Sequence, residues 1–311
     1  MSGRPRPDFV IIGAQKSGST ALMRLLGDHP QVYLPEQETQ YFRDPWFSFQ
    51  DESVLEDVVA PAPAGVRRRG IKCPDYLPAP DAPRRVHEVL GEVPLLAVLR
   101  DPVQRAVSAY FWGMQWGWLP RLPPDVGLTR LLDGDLDPRF PRSDEVLEYG
   151  DYATHLARWY ERWDRDRLRV LIDEDLRGDR LEPTMTDVFA WLGVDPWVGP
   201  LPADRRVNTG VYSPLRLKVL SYRTPYILRE FDGYPGRPYL QPARGLKGTV
   251  VNRAVSVLDR VVLARVVDNR RPDISPAVLG RLADHYRDQV ARLEGLLGRD
   301  LSGWASAGRS T

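Results

Sequence analysis

Apolar residues gather along this chain in short runs that alternate with stretches of helical spacing. "DFVIIG" (Asp8 to Gly13) is a short apolar run ending in glycine and predicts a buried strand. "STALMRLLGDHP" follows it, with Leu22, Leu25 and Leu26 on one helical face. Ser19 or Thr20 is the candidate N-cap there, and Gly27 and Pro30 are the stop. "RGIKCPDY" (Arg69 to Tyr76) predicts a second short strand closed by Pro74. "VPLLAVLRDP" (Val93 to Pro102) predicts the most apolar strand, followed by helix from about Val103 to Trp116. Helix Tyr152 to Trp163, strand Leu168 to Ile172 and helix Thr184 to Leu192 continue the alternation. "SPAVLGRLADHYRDQVARLEGLLG" predicts a closing amphipathic helix with Leu279, Leu282, Tyr286, Val290, Leu293 and Leu297 on one face.

Alternating strands and helices predict an α/β fold of three layers, phosphate-loop-like, with a central mostly parallel sheet flanked by helices. Proline-rich stretches interrupt it at Pro61 to Pro83, Pro120 to Pro141 and Pro196 to Pro202. The pattern shows no repeat and no boundary. Residues 1–311 therefore read as one domain with long loop insertions, about 61–83, 120–148 and 196–214, that build part of a binding site.

Composition narrows the function classes. At 311 residues, 42% hydrophobic and 27% charged, the chain can bury one large core. A net charge of +1 gives no global attraction to nucleic acid or an anionic membrane. "MSGRPRPDFV" lacks a signal-peptide apolar region, and no run approaches the ~20 residues of a membrane helix, so a cytoplasmic location is expected. One cysteine, Cys73, and four scattered histidines point away from disulfides and metal clusters, and no metal is expected.

The candidate chemistry begins at "IIGAQKSGSTAL". Gly13 and Gly18 have the spacing of a nucleotide-triphosphatase loop, but Ser19 stands where that loop has its lysine, and Lys16 sits inside. Lys+Arg totals 43, yet the only lysines are Lys16, Lys72, Lys218 and Lys247. A lysine kept against that bias points to a need for a compact point charge rather than a planar fork. Strand, glycine-bearing loop and helix start form anion-binding geometry. Gln15, Lys16, Ser17, Gly18, Ser19 and Thr20 are the candidate contacts, through backbone N–H groups, hydroxyls and the lysine. The second candidate is "VLRDPVQRAVSAY": Arg100 stands just after the most apolar strand, and Ser108 lies eight residues on. A fork plus a hydroxyl suits a phosphate monoester. Asp101, beside Pro102, reads as a turn cap rather than a magnesium ligand. Two anion sites fit a nucleotide with phosphates at both ends of its ribose.

"FVIIGAQKSGSTAL" and "LRDPVQRAVSAY" resemble the two cofactor loops of sulfotransferases that use 3′-phosphoadenosine 5′-phosphosulfate, in the branch with heparan-sulfate and bacterial members. The resemblance implies a 5′-phosphosulfate loop, a 3′-phosphate site at Arg100 and Ser108, and adenosine 3′,5′-bisphosphate as product. "LPEQETQYFRD" resembles the family's K-E-x-H-[FY]-F, which places the catalytic base at Glu38. Gln37 stands where that pattern has lysine, and Gln40 where it has histidine. "IKCPDY" resembles K-[ST]-P-x-Y, which places Lys72 at the donor, with Cys73 departing from the pattern. "EYGDYATHLARWYERW" resembles the helix bordering the acceptor cleft, and "RLADHYRDQVARLEGLLGRDLSGW" the C-terminal helix of bacterial members. For the third cofactor segment, "RRVNTGVYSP" offers Arg206, Asn208 and Gly210.

The implied reaction is in-line sulfuryl transfer to an acceptor hydroxyl. Glu38 takes its proton, and Lys16 and Lys72 offset charge on the leaving phosphate. Glu36 and His155 are the alternative bases. Tyr152, His155, Trp112 and Trp116 are candidate acceptor contacts, with core packing an equal reading for the tryptophans. The acceptor is a sugar, a glycosylated natural product or another small alcohol. The rival readings are a metal-dependent phosphotransferase and a non-catalytic nucleotide-binding module.

Overall fold

The computed structural model describes residues 4–199, 201 and 210–307. They cluster into two compact units. The first holds the described residues of Met1–Asp101, Asp151–Asn208 and Gln289–Asp300. The second holds those of Pro102–Gly150, Thr209–Asp288 and Leu301–Thr311.

In chain order come β1 (Phe9–Gly13), α1 (Ser19–Gly27), β2 (Val32–Tyr33), α2 (Trp46–Phe49), α3 (Ser53–Val59), β3 (Arg68–Lys72), α4 (Ala82–Leu90) and β4 (Leu95–Leu99). Then follow α5 (Pro102–Trp116), α6 (Pro124–Leu132), α7 (Glu145–Glu148), α8 (Tyr152–Tyr160), β5 (Leu168–Ile172) and α9 (Leu181–Leu192). The remainder is α10 (Pro214–Ser221), α11 (Thr224–Ile227), the hairpin β6 (Leu228–Phe231) and β7 (Tyr234–Leu240), α12 (Gly245–Val257), α13 (Ala264–Val266) and α14 (Pro276–Leu297).

Five parallel strands in the order β2-β3-β1-β4-β5 form the sheet of the first unit. Strands β1 and β4 are buried at every position, as expected when both faces are covered. Phe9 and Ile11 pack on one face with Leu22 and Leu26 of α1 and Met185 and Phe189 of α9. Phe9 lies across Gly70 of β3, where an added Cβ would fall 2.2 Å from its ring, so only glycine permits that crossing. Trp159 and Trp163 fix α8 and the turn after it: their indole N–H groups donate to the carbonyls of Leu77 and Val93 at 3.2 and 3.0 Å. They are core residues.

Two sequence expectations are revised. Neither Ser19 nor Thr20 caps α1; Gly18 is the N-cap, in the left-handed region at φ 101°. The proline-rich stretches also hold more regular structure than loops. Strand β3 and the start of α4 lie in the first, and α6 lies in the second. Pro83 and Pro124 occupy the first turns of α4 and α6, where a missing N–H costs nothing. Leu128 and Leu131 then bury the inner face of α6. Among the described residues no helix is long and apolar enough to cross a membrane.

Candidate functional site

In an open parallel sheet the carboxyl ends of the strands face the ligand crevice. Four ends in the first unit bring chemistry there. Strand β1 runs into the loop Ala14–Gly18, β3 ends on Lys72, β4 delivers Arg100, and β5 delivers Asp173.

The loop is tightly held. Ala14 N–H donates to the Val98 carbonyl at 2.8 Å, and Ser17 N–H to the Ala14 carbonyl at 3.3 Å. Ser17 is buried, and its Oγ lies 3.1 Å from the Tyr152 hydroxyl of α8. Lys16 adopts φ 65°, a left-handed conformation uncommon for a side-chain-bearing residue. At Gly18 a Cβ would approach Asp173 Oδ1 to 3.1 Å. The first turn of α1 presents N–H groups that no helical carbonyl can accept. Together these set a helix start of the kind that binds anions beside half-buried Lys16 and Thr20.

Lys72 is the second cation. Its side chain is 3% exposed, and its Nζ donates to Glu38 Oε1 at 2.7 Å and to Thr20 Oγ1 at 3.0 Å. One ammonium thus touches both the first turn of α1 and the candidate base. The Glu38 side chain remains 39% exposed.

The segment carrying Glu38 is strapped to the end of β3. Thr39 N–H donates to the Lys72 carbonyl at 3.0 Å, and the Tyr76 hydroxyl donates to the Thr39 carbonyl. The Cys73 thiol donates to Gln40 Oε1 at 3.3 Å. The Arg43 guanidinium pairs with Asp75 Oδ2, and Gln15 Nε2 donates to Asp75 Oδ1 at 3.0 Å. Burial, with the Asp75 charge adding to it, pushes the Cys73 thiol well above its usual pKa. Burial likewise raises the Tyr76 phenol, so both stay neutral donors.

Arg100 faces Asp173, Nε to Oδ2 at 3.6 Å, and Arg177 pairs with the same carboxylate. Ser108 is half-buried on α5, in the second unit. Tyr152 and His155 are buried on α8, and the Tyr152 hydroxyl lies against Ser17 of the Ala14–Gly18 loop. In the second unit Trp112 packs edge-on against Trp118 at 4.6 Å, and the Arg223 guanidinium lies 4.2 Å over Trp116. Arg206 and Asn208 lie outside the described residues. The Gly210 carbonyl accepts from Asn269 Nδ2 at 2.8 Å.

Sequence reasoning missed Asp75, Arg43 and Asp173. Asp173 directly follows the predicted strand "LRVLI", so the rule that found Arg100 would have found it. Asp75 and Arg43 carried no local signal, because their partnership joins residues 32 apart in sequence. Among the described residues no group of three His, Cys, Asp or Glu side chains is placed to hold a metal ion.

A family model described as sulfotransferase domain matches residues 6–201, and the chain belongs to that family. The match spans the Ala14–Gly18 loop, the Glu38 strap, Lys72 and Arg100. The chain is 31% identical over 127 residues to the membrane-associated sulfotransferase kil1 of Dictyostelium discoideum, covering 38% of this chain and 25% of that protein. It is 29% identical over 165 residues to heparan sulfate glucosamine 3-O-sulfotransferase 6 of Homo sapiens, covering 50% of this chain and 44% of that one. The matched stretch thus spans less than half the length of either relative. The crystal structure of a sulfotransferase from Alicyclobacillus acidocaldarius superposes with a TM-score of 0.63 at 22% identity, covering 96% of this chain and 99% of that one, and shares the fold.

Proposed function

We propose that the protein transfers the sulfuryl group of 3′-phosphoadenosine 5′-phosphosulfate to an acceptor hydroxyl, with Glu38 as base. The observation behind this reading is the Lys72 ammonium held between Glu38 Oε1 and Thr20 Oγ1 at 2.7 and 3.0 Å. The residues fit the donor chemically: a loop with left-handed Gly18 at the start of α1, hydroxyls at Ser19 and Thr20, and two lysines. Residues Gln15 to Thr20 and Lys72 hold the 5′ end in this reading, and Arg100 and Ser108 the 3′-phosphate. The donor supplies the activated sulfuryl group.

The chain's own residues do the rest. Glu38 accepts the proton of the attacking hydroxyl. Lys16 and Lys72 offset negative charge on the departing phosphate oxygen, reinforced by the fixed dipoles of the first turn of α1. The Lys72–Glu38 hydrogen bond holds the base in place before the acceptor arrives. Its exposed face selects a small-molecule or glycan alcohol able to reach the strap.

Mass spectrometry tests this. Purified protein is incubated with the donor and a panel of sugar, aliphatic and phenolic alcohols. Sulfated product together with adenosine 3′,5′-bisphosphate supports the reading. Magnesium-dependent turnover of a nucleoside triphosphate, with no sulfated product, contradicts it.

A further inference from the structure

Helix α12 and the wider turns that continue it, Gly245–Val257 and Leu258–Leu263, are amphipathic in the inverse sense. The two residues buried on its inward face, Gly248 and Asp259, are small or polar, beside half-buried Val251, Val255 and Leu263. An added Cβ at Gly248 would lie 3.3 Å from the Tyr226 ring, the Ser256 hydroxyl accepts from Arg223 at 3.1 Å, and Asp259 forms a two-pronged pair with Arg216 at 2.7 and 2.9 Å. The face turned outward is aliphatic. Leu246, Val250, Val257 and Val261, at i, i+4, i+11 and i+15, are 83, 56, 52 and 44% exposed. An ordinary surface helix does the reverse. A contiguous exposed aliphatic stripe marks a surface that meets a partner.

The charges around the stripe select the partner. Between residues 244 and 267 the ionisable side chains are Arg244, Lys247, Arg253, Arg260, Arg265 and one acid, Asp259. Asp259 is buried and committed to Arg216. All five cations are exposed. Chain-wide neutrality hides this local excess. A second copy docking by two-fold symmetry would set these cations against their own images. An anionic bilayer accepts both the aliphatic stripe and its basic border.

We propose that this helix docks the protein on anionic lipid surfaces, its stripe set into the headgroup boundary and its arginines and lysine on the phosphates. The proposal stands apart from the sulfuryl-transfer reading: the helix lies beyond the residues 6–201 that define family membership.

Co-sedimentation of the full chain with vesicles tests it, comparing phosphatidylcholine alone with an equal mixture of phosphatidylcholine and phosphatidylglycerol. The expected result is partition onto the mixed vesicles and weakening by salt. Leu246→Ser with Val250→Ser should reduce partition about tenfold or more. Arg253→Gln with Arg260→Gln should reduce it about 25-fold, on the scale of about fivefold per basic residue. All four positions are exposed, so circular dichroism should match wild type. Absence of binding to mixed vesicles overturns the proposal, as does binding indifferent to the Leu246 and Val250 changes. A dimer in sedimentation equilibrium that those changes dissolve, without vesicle binding, assigns the face to a second copy instead.

Discussion

The Cys73 thiol donates to Gln40 Oε1 at 3.3 Å, joining two positions at which this chain departs from the sulfotransferase motifs. The contact helps pin the strap that bears Glu38 against the end of β3, beside the Thr39–Lys72 backbone bond.

Because Cys73 is fully buried and its thiol is held protonated by desolvation, it should not react with a disulfide reagent in the native state. A thiol count at mildly alkaline pH should read zero native and one in denaturant. A native count of one would show that the strap opens.

Glu38→Gln should retain donor binding and lose roughly 10²–10⁴-fold in turnover, the usual range for a general base. Turnover is read by release of adenosine 3′,5′-bisphosphate in the presence of acceptor. Near-wild-type turnover in that variant transfers the role elsewhere. Glu36, exposed two residues earlier, is then the next candidate, while His155 is buried.

Lys72→Arg should cut turnover strongly, because a planar fork cannot replace a compact ammonium held at 2.7 Å from Glu38 and 3.0 Å from Thr20 in a closed space. Lys16→Arg should behave likewise inside the loop. Wild-type rates in both variants would mean that the scarcity of lysine in this chain carries no functional information.

Asp75 ties the Ala14–Gly18 loop to the strap through Gln15 and Arg43, and all three side chains are buried. Asp75→Asn leaves the Arg43 charge without its counter-ion, a loss of about 3–5 kcal/mol by comparison with other broken buried pairs. Denaturant midpoints read it. Adding Arg43→Gln should recover part of the loss, since it removes the stranded charge. Additive losses would show that the two residues are not coupled.

Much of the fold was legible because hydrophobic runs bounded by glycine and proline report buried parallel strands directly. Phe9–Gly13, Leu95–Leu99 and Leu168–Ile172 all lie within the predicted runs. The helix start at Ser19 was legible, but its cap was not: a left-handed glycine beside Asp173 is a tertiary circumstance. Helix α6 hid behind prolines that open helices as readily as they end them. The hairpin Leu228–Leu240 and helix α12 drew no prediction, because α12 shows its aliphatic residues to solvent and so lacks the usual inward stripe. At the site, the motif resemblance pointed to Glu38 and Lys72, which the fold brings to 2.7 Å. It could not show Asp75 or Asp173, whose positions depend on how separate strands end side by side.

Calorimetry with adenosine 3′,5′-bisphosphate and adenosine 5′-monophosphate, both in the presence of EDTA, tests the donor assignment without knowledge of the acceptor. A forked, charge-assisted contact contributes roughly 1.5–3 kcal/mol. If Arg100 and Ser108 hold the ribose 3′-phosphate, the bisphosphate should bind on the order of 10- to 100-fold more tightly. That preference should collapse in Arg100→Ala and shrink in Ser108→Ala. Equal affinities for the two nucleotides, or binding only with magnesium and a triphosphate, would contradict the account.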